Sequence, residues 1–324
     1  MARVASIERI GGPEVIGWSD VDLPPPAAGE VRVRHTAVGL NYIDTYQRSG
    51  LYPLALPSGL GSEAVGVVEA VGEGVDGFGI GDRVGTFGPA VGAYASERNV
   101  RAAQLLHLPD DIGDHQAAAV LLKGCTTEAL IERCARVQPG QTVLVWAAAG
   151  GVGHLMVGWL KAIGATVIGV VGTEDKAAQV RRAGADHILS HRADDIAARV
   201  REITGGEGVP VVFDGVGMAS WPASLAATAR RGLIVSFGNA GGAVEGVKLG
   251  ILAARGSLFV TRPTLFDYYV TTEERQAGVD RVFAMLRNGA IVPDIGQTYA
   301  LEDAAEAHRA LEAGETRGSS VFVP

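Results

Sequence analysis

Residues 142–173 read TVLVWAAAGGVGHLMVGWLKAIGATVIGVVGT, and this stretch decides the fold. The apolar run Val143–Trp146 is typical of a buried strand, and the loop 147–153 that follows it consists of small residues. Apolar side chains then recur at steps of three and four, which predicts a helix of about three turns: Val152, Leu155, Met156, Trp159, Leu160 and Ile163. Gly164 stands where a helix C-terminal glycine is expected, and Thr166–Val171 gives a second strand. The stretch therefore predicts a β-α-β unit.

The loop of this unit has the composition of a phosphate-binding loop. Gly150, Gly151 and Gly153 allow a sharp turn and a close backbone approach to a pyrophosphate, at a helix N-terminus whose dipole favours an anion. Ala148 stands where the G-x-G-x-x-G fingerprint has its first glycine. A strand–helix turn packed for its own sake is the structural alternative. Because both strands and the helical period are in place, we favour a dinucleotide site.

The end of the second strand bears on the choice between NAD and NADP. An NAD site normally places Asp or Glu there, about twenty residues after the loop, to bind the ribose 2′-hydroxyl. Here Gly172 and Thr173 follow the strand, and Lys176 can meet the charge of a 2′-phosphate. These residues predict NADPH as the cofactor. Two alternatives stay open: Lys176 as a solvated lysine in a first helical turn, and Glu174 as a ribose ligand if the strand runs further.

Composition and charge limit the class of protein. A chain of 324 residues exceeds one typical core, which predicts two domains, and 47% hydrophobic with 20% charged residues is ordinary for a globular enzyme. A net charge of −8 without a basic run argues against a nucleic-acid partner. Cys125 and Cys134 favour buried thiols in a reducing compartment over a disulfide framework. No signal-peptide core and no apolar stretch of about eighteen residues occurs, so we expect a cytoplasmic protein without membrane insertion.

The chain before and after the central unit has two different patterns. In residues 1–112, Val31, Val33 and His35 alternate with arginines, and glycines punctuate short Val-rich runs in 59–88, which predicts a small twisted or barrel-like β domain. After Thr173, helical and strand-like segments alternate, which predicts a doubly wound parallel sheet with its ligand at the carboxyl ends of the strands. The predicted elements are helices over Asp175–Ala183, Ile196–Ile203 and Ala223–Arg231 and strands over Asp186–Leu189, Val209–Phe213, Leu233–Phe237 and Ser257–Thr261.

The last helix and strand, Ala304–Leu311 and Ser320–Val323, are expected to return to the β domain. No metal is expected. A zinc dehydrogenase needs converging Cys, His or carboxylate ligands, yet there is no cysteine before Cys125, and His35, His107 and His115 lack partners at ligand spacing. Without a metal, reduction of a quinone or a conjugated enone asks less of the protein than alcohol oxidation does, since orientation and electrostatics suffice for hydride transfer.

Ten stretches spread over nearly the whole chain carry a family resemblance. They are NYIDTY (41–46), RSGLYP (48–53), LPSGLGSEAVGVV (56–68), GDRV (81–84), LLKGCT (121–126), AAAGGVG (147–153), VVFDGVG (211–217), SFGNAGGAV (236–244), GSLFVTRPTL (256–265) and RGSSVFVP (317–324). In them the sequence resembles the zinc-free, zeta-crystallin-like quinone oxidoreductases of the medium-chain dehydrogenase/reductase superfamily. The resemblance implies a GroES-like β domain (1–112 and 291–324) and a Rossmann domain (113–290). Zinc-dependent relatives carry Cys where Asn41 stands and His where Ser62 stands.

The resemblance also implies site residues. Asn41 and Tyr46 are the expected catalytic pair, lining the nicotinamide and the acceptor. The expected cofactor-binding residues are Asn41 and Tyr46 themselves, Lys123 and Thr127 on a long helix, Gly150, Gly151 and Val152 at the pyrophosphate, Gly172, Thr173 and Lys176 at the 2′-phosphate, His191 near the adenosine, Phe237, Gly238 and Asn239 at the nicotinamide ribose, and Arg317 at the phosphates. Relatives usually carry Tyr at position 191, and an imidazole there can still stack or donate a hydrogen bond.

Two further expectations concern partners and competing functions. The family tends to dimerise through the last strand of the Rossmann sheet, here Ser257–Thr261, and an apolar edge strand has good reason to be paired. The function predicted is hydride transfer from NADPH to a quinone. One alternative keeps the chemistry and changes the acceptor to an enone, an enal or an enoyl thioester. The other is a nucleotide-gated RNA-binding or structural protein, against which the acidic charge weighs.

Overall fold

The computed structural model describes all 324 residues, which fold into two compact units. The first comprises Met1–Leu122 and Pro293–Pro324, and the second comprises Lys123–Val292. The strands are β1 (Ala2–Ile7), β2 (Gly17–Val21), β3 (Glu30–Leu40), β4 (Ser58–Gly59), β5 (Glu63–Val71), β6 (Arg83–Phe87), β7 (Glu97–Arg101), β8 (Leu105–His107), β9 (Thr142–Val145), β10 (Thr166–Val171), β11 (His187–Ser190), β12 (Val209–Asp214), β13 (Thr228–Ser236), β14 (Phe259–Thr261), β15 (Ile295–Ala300) and β16 (Ser319–Val323).

The α-helices are α1 (Tyr42–Ser49), α2 (Asp114–Glu128), α3 (Gly151–Ala162), α4 (Glu174–Arg182), α5 (Ile196–Ile203), α6 (Trp221–Ala227), α7 (Gly250–Ala254), α8 (Thr272–Arg287) and α9 (Ala304–Glu312). A π-helical segment, Ala129–Ala135, continues α2, and short 3₁₀ turns span Pro13–Val15, Ala102–Gln104, Leu265–Asp267 and Leu301–Asp303. No helix combines the length and the apolarity needed to cross a bilayer.

The first unit is built from two sheets. One is seven-stranded, in the order β15-β16-β3-β5-β6-β8 with β7 also paired to β3, and the other is three-stranded, in the order β2-β1-β4. The alternation predicted at the start of β3 is confirmed, because Val31, Val33 and His35 are buried. The C-terminal strand pairs antiparallel with β3, Val321 opposite Gly39, so the tail returns to the β-rich unit as expected.

The second unit is a parallel sheet flanked by helices. Its six strands run in the order β11-β10-β9-β12-β13-β14, and every neighbouring pair is parallel. Counted within the unit this is the order 3-2-1-4-5-6, the doubly wound arrangement that places ligands beyond the carboxyl ends of the strands. The centre of the sheet is buried, with Leu144, Ile168 and Val212 showing no exposed surface. The predicted α/β fold class is confirmed.

Two element predictions need correction. The helix predicted over Ala223–Arg231 ends at Ala227, because Thr228 already pairs with Val209 in the sheet and strand pairing prevails over the alanine-rich composition. The strand predicted from Ser257 begins only at Phe259, since Ser257 has a left-handed φ of 58° that does not continue a strand.

Candidate functional site

The loop between β9 and α3 has the geometry of an anion-binding turn. Ala147 adopts a left-handed φ of 50°, the Ala148 N–H donates to the Val170 carbonyl at 3.0 Å, and Gly150 N–H closes the turn on Ala147 at 2.9 Å. A Cβ at Gly153 would overlap the Ala147 carbonyl, so this glycine is required by close strand–helix packing. Gly150 provides no side-chain cap for α3. The amides of the first helical turn, which lack helical acceptors, therefore receive no cap from the protein's N-cap residue.

The carboxyl ends of β10 and β11 bring together the residues predicted at the adenosine end. The strand β10 stops at Val171, and Thr173 caps α4 by accepting the Lys176 N–H at 3.5 Å. A Cβ at Gly172 would lie 2.9 Å from His191 Nε2, so the imidazole lies against this glycine. Because the strand does not extend beyond Val171, Glu174 opens α4 instead of ending the strand.

A second cation at this end was missed by the sequence prediction. Burial lowers the pKa of Lys176, and the nearby Arg192 guanidinium lowers it further. An anion bound between two neighbouring positive charges is attracted by both of them. The signal was present in the sequence, since Arg192 directly follows His191 beyond the end of β11. Lys176 and Arg192 together form a cationic pair suited to a phosphate, and the His191 ring lies against Gly172 at the same strand ends.

The loop that follows β13 carries the predicted ribose-binding residues Phe237, Gly238 and Asn239. The Phe237 N–H donates to the Asp214 carbonyl at 2.8 Å, and a Cβ at Gly215 would lie 2.9 Å from the Phe237 ring. Arg262, beyond the end of β14, donates to the carbonyl oxygens of Ser236 at 2.9 Å and Gly238 at 3.0 Å. The Arg262 guanidinium therefore holds the backbone on both sides of Phe237. No local sequence pattern predicted this role.

A buried carboxylate shapes the neighbouring loop after β12. Asp214 accepts hydrogen bonds from the amides of Val216 at 2.9 Å and Gly217 at 3.0 Å, and from the hydroxyls of Ser220 and Ser224. Four donors around one buried carboxylate compensate for its desolvation. The loop beside Phe237 is therefore held by hydrogen bonds within the second unit.

Lys123 and Thr127 lie one helical turn apart on α2. Lys123 is 6% exposed and Thr127 has no exposed surface. The Thr127 hydroxyl donates to the Lys123 carbonyl at 2.9 Å, within the helix itself. The structure thus places both residues together and gives the Thr127 hydroxyl an internal partner.

The first unit brings Asn41 and Ser62 to one carboxylate. Asp44 accepts the Asn41 backbone N–H at 2.9 Å, the Ser62 hydroxyl at 2.9 Å and the Tyr94 hydroxyl at 3.0 Å. The side-chain amide of Asn41 donates to Glu63 at 2.9 Å. Nowhere in the structure do three or more His, Cys, Asp or Glu side chains group as metal ligands. The positions 41 and 62 are therefore engaged in a hydrogen-bond network.

This network continues away from the site to α9. The Tyr94 hydroxyl lies 2.9 Å from His308 Nε2, and Arg48 Nη1 donates to His308 Nδ1 at 3.1 Å. Burial, and then the charge of Arg48, lower the pKa of His308 from 6.5 to about 3. Because a guanidinium can only donate, His308 is neutral with its proton on Nε2, donates to Tyr94, and Tyr94 donates to Asp44. The direction of every bond is thereby fixed.

Tyr46 and Arg317 are the remaining predicted residues of the first unit. Tyr46 is 9% exposed and packs between Tyr42 and Tyr52, with ring centroids 5.9 and 5.2 Å away. Arg317 is exposed, and its backbone is held by Gln297, which accepts its N–H at 3.1 Å and donates to its carbonyl at 2.7 Å. Tyr46 thus sits in an aromatic cluster, and Arg317 extends from an anchored backbone.

Comparison with known proteins gives matches over both units. Residues 27–110 match the family described as "Alcohol dehydrogenase GroES-like domain", and residues 151–289 match the family described as "Zinc-binding dehydrogenase". A quinone oxidoreductase from Pseudomonas aeruginosa is 48% identical over 100% of both chains. The crystal structure of Escherichia coli quinone oxidoreductase complexed with NADPH superposes with a TM-score of 0.97 at 46% identity and covers 100% of both chains. A 2-haloacrylate reductase from Burkholderia is 40% identical, covering 100% of this chain and 99% of its own.

The chain belongs to the quinone oxidoreductase family of the medium-chain dehydrogenase/reductase superfamily. The family resemblance seen in the sequence is confirmed. Sequence reasoning missed the charged and polar residues that surround the predicted ones: Asp44, Glu63, Tyr94, Arg192, Asp214, Arg262 and His308. Most of them act through partners distant in the chain.

Proposed function

We propose that this chain is an NADPH-dependent quinone reductase that works without a metal. The observation that carries the cofactor assignment is the end of β10, where no carboxylate stands on the strand and Lys176, His191 and Arg192 gather instead. A 2′-phosphate can accept charge-assisted hydrogen bonds from Lys176 and Arg192, whereas the 2′-hydroxyl of NADH carries no charge to attract them. The relative from Escherichia coli that binds NADPH supports the same choice.

The groups at the carboxyl ends of the strands bind and orient the cofactor. The glycine loop and the first turn of α3 would hold the pyrophosphate through the amides of Gly150, Gly151 and Val152. The Phe237–Asn239 loop, which Arg262 holds, would bind the nicotinamide ribose. Lys123 and Thr127 on α2 would contact the cofactor as well. Arg317 would contribute a positive charge to the phosphates. NADPH supplies the hydride when bound.

Asn41 and Tyr46 orient the nicotinamide and the acceptor. Hydride adds to the quinone, and a proton from water completes the hydroquinone, leaving NADP⁺. No covalent intermediate is needed, because conjugation spreads the charge of the acceptor as it is reduced. The contribution of the protein is orientation and electrostatics, which an aromatic wall and a fixed amide provide.

The cofactor assignment is tested by titrating NADPH and NADH separately into the protein and into Lys176→Gln. Losing one charge-assisted phosphate contact should raise the Kd for NADPH about tenfold and leave the Kd for NADH unchanged. Lys248→Gln is the matched control, since Lys248 is an exposed lysine of the same unit. Equal affinity for NADPH and NADH in the unmodified protein would remove the role given to Lys176.

A conjugated carbonyl is the second candidate acceptor, and the relative named a 2-haloacrylate reductase favours testing it. Reduction of such an alkene uses the same hydride donor and the same pair of orienting residues. Turnover of 1,4-benzoquinone should be compared with turnover of a 2-alkenal and of 2-chloroacrylate. A strong preference for either alkene would overturn the quinone assignment while leaving the NADPH assignment intact.

The chain forms a homodimer through the edge of its parallel sheet in this proposal. β14 pairs only with β13, and Phe259 and Val260 on it are 61% and 39% exposed. An exposed apolar edge of this kind invites pairing with a second copy. Sedimentation should show a dimer that Phe259→Lys converts to monomers, and a monomeric parent protein would refute the assignment. Cys125 and Cys134 form no disulfide, which fits a cytoplasmic location, and the proposal includes no nucleic-acid or membrane partner.

A further inference from the structure

Gly172 directly follows β10, and its backbone does not require a glycine. Its φ lies outside the left-handed region, so the backbone itself would accept a residue with a side chain. A Cβ built on Gly172 would lie 2.9 Å from His191 Nε2, and the next two nearest atoms, at 3.7 and 3.8 Å, belong to the same ring. The imidazole of His191 is therefore what opposes a side chain at position 172.

Strand pairing holds the two positions side by side. β10 and β11 are parallel with Val171 opposite Ser190, and continuing this register by one position brings Gly172 beside His191. The His191 N–H donates to the Val171 carbonyl at 3.1 Å. Paired positions of neighbouring strands direct their side chains to the same face of a sheet. A rotation of the His191 ring therefore leaves its side chain beside position 172.

The turn that follows β11 fixes the backbone of His191 and leaves its ring exposed. Ser190 donates its N–H to Asp194 Oδ2 at 2.7 Å, and its carbonyl accepts the Asp194 N–H at 2.8 Å. The Arg192 N–H donates to Ser190 Oγ at 3.4 Å. The imidazole itself is exposed and makes no hydrogen bond within the protein. Because an imidazole carries at least one N–H in either charge state, a donor remains for a ligand.

The chemistry of position 172 bears on the choice between the two nicotinamide cofactors. In an NAD site a carboxylate at the end of the second strand accepts the ribose 2′-hydroxyl. The same carboxylate would repel a 2′-phosphate. Here the imidazole of His191 takes the room that such a side chain needs, and its N–H is a donor that suits a phosphate oxygen.

We propose that His191 determines the preference for NADPH, because its imidazole occupies the place of the strand-end carboxylate that an NAD site requires. The inference rests on the proposed function, which puts the 2′-phosphate at the ends of β10 and β11. Position 172 cannot gain an NAD-type carboxylate in the correct place while His191 is present. Gly172 and His191 therefore act as a pair.

Titration of NADPH and NADH into Gly172→Asp, His191→Ser and the double variant tests this pair. Gly172→Asp alone should raise the Kd for NADPH about tenfold or more through repulsion of the phosphate. It should not lower the Kd for NADH, because His191 displaces the new carboxylate. His191→Ser alone should raise the Kd for NADPH about three- to tenfold and leave the Kd for NADH unchanged. The double variant should bind NADH about tenfold more tightly than Gly172→Asp does.

His187→Ser is the matched control, since His187 is an exposed histidine at the other end of β11. It should leave the Kd values for both nucleotides unchanged. If Gly172→Asp alone tightened the binding of NADH as much as the double variant does, the inference would be overturned. Equal affinity for NADPH and NADH in the unmodified protein would instead refute the NADPH assignment of the proposed function.

Thermal unfolding without any nucleotide tests the contact between the two residues directly. Replacement of glycine by alanine stabilises a protein where the backbone accepts it, because it restricts the unfolded chain. Gly172→Ala should therefore raise the unfolding temperature in a His191→Ser background, and it should fail to raise it in the otherwise unmodified protein. An equal rise in both backgrounds would overturn the inference, whichever nucleotide the protein prefers.

Discussion

Replacement of His308 by Gln should change the pH dependence of stability. His308 is fully buried and accepts from Arg48 while donating to Tyr94. Its pKa falls from 6.5 to about 3 because of burial first and the Arg48 charge second. The folded state therefore keeps the imidazole neutral where the unfolded chain protonates it. Gln offers one acceptor and one donor and does not titrate.

The sign and size of the effect follow from proton linkage. Between the two pKa values the unfolded state binds more protons, so stability rises with pH and is lost as pH falls from 6.5 toward about 3. At about pH 5 this single imidazole destabilises the native protein by about 2 kcal/mol relative to about pH 8. His308→Gln should cost about 1–2 kcal/mol at the higher pH for imperfect packing. At the lower pH that deficit should nearly vanish.

Urea unfolding of the two proteins at equal concentration, at both pH values, measures the difference. His35, which is also buried and whose pKa is lowered to about 3, contributes equally to both proteins and cancels. His107→Gln, which removes an exposed imidazole, serves as the control variant. If the free energy of unfolding changed equally with pH in the parent protein and in His308→Gln, the conclusion that His308 is neutral in the folded state would be refuted.

Two further predictions concern the second unit. Gly153→Ala should destabilise the protein by about 1–2 kcal/mol, since overlap with the Ala147 carbonyl outweighs the better helix propensity of alanine. Gly150→Ala is the comparison variant, because its Cβ would lie 3.3 Å from the same carbonyl. The temperature of thermal unfolding should change much less in Gly150→Ala than in Gly153→Ala. Arg262→Gln should raise the Kd for NADPH about tenfold through loss of the clamp around Phe237, with an unchanged circular dichroism spectrum, and unchanged affinity would contradict that role.

The fold was predictable because it follows from periodic patterns. The apolar period of α3 and the apolar runs of β9 and β10 can be recognised from residues that are neighbours in the sequence. The observed bounds of these elements agree with the predicted ones within a residue or two. Prediction failed at Thr228, where the sequence favours helix locally and the partner strand β12 decides otherwise. Pairing between strands is a tertiary effect, and no window of local sequence contains it.

The motifs predict which residues face a ligand, and they do not predict the buried polar residues that hydrogen-bond to them. Lys176 and the glycine loop lie at fixed distances from a strand end, which a motif can express. His308 and Tyr94 are 214 positions apart, and Asn41 and Glu63 are 22 apart, with no period that relates them. Buried polar partners are specified by three-dimensional contact, so they became visible only in the structure.

The polar network also explains why a substitution at position 41 or 62 affects more than the substituted residue. Zinc-dependent relatives carry Cys and His at these positions. Judged one position at a time, Asn41→Cys and Ser62→His look sufficient to build a zinc site here. Yet Asp44 and Glu63 are buried carboxylates that depend on donors from Ser62 and Asn41. Removing either donor takes one hydrogen bond from a buried carboxylate, which costs more than that hydrogen bond contributes. The asparagine and the serine are therefore part of one hydrogen-bonded unit with Asp44, Glu63 and Tyr94.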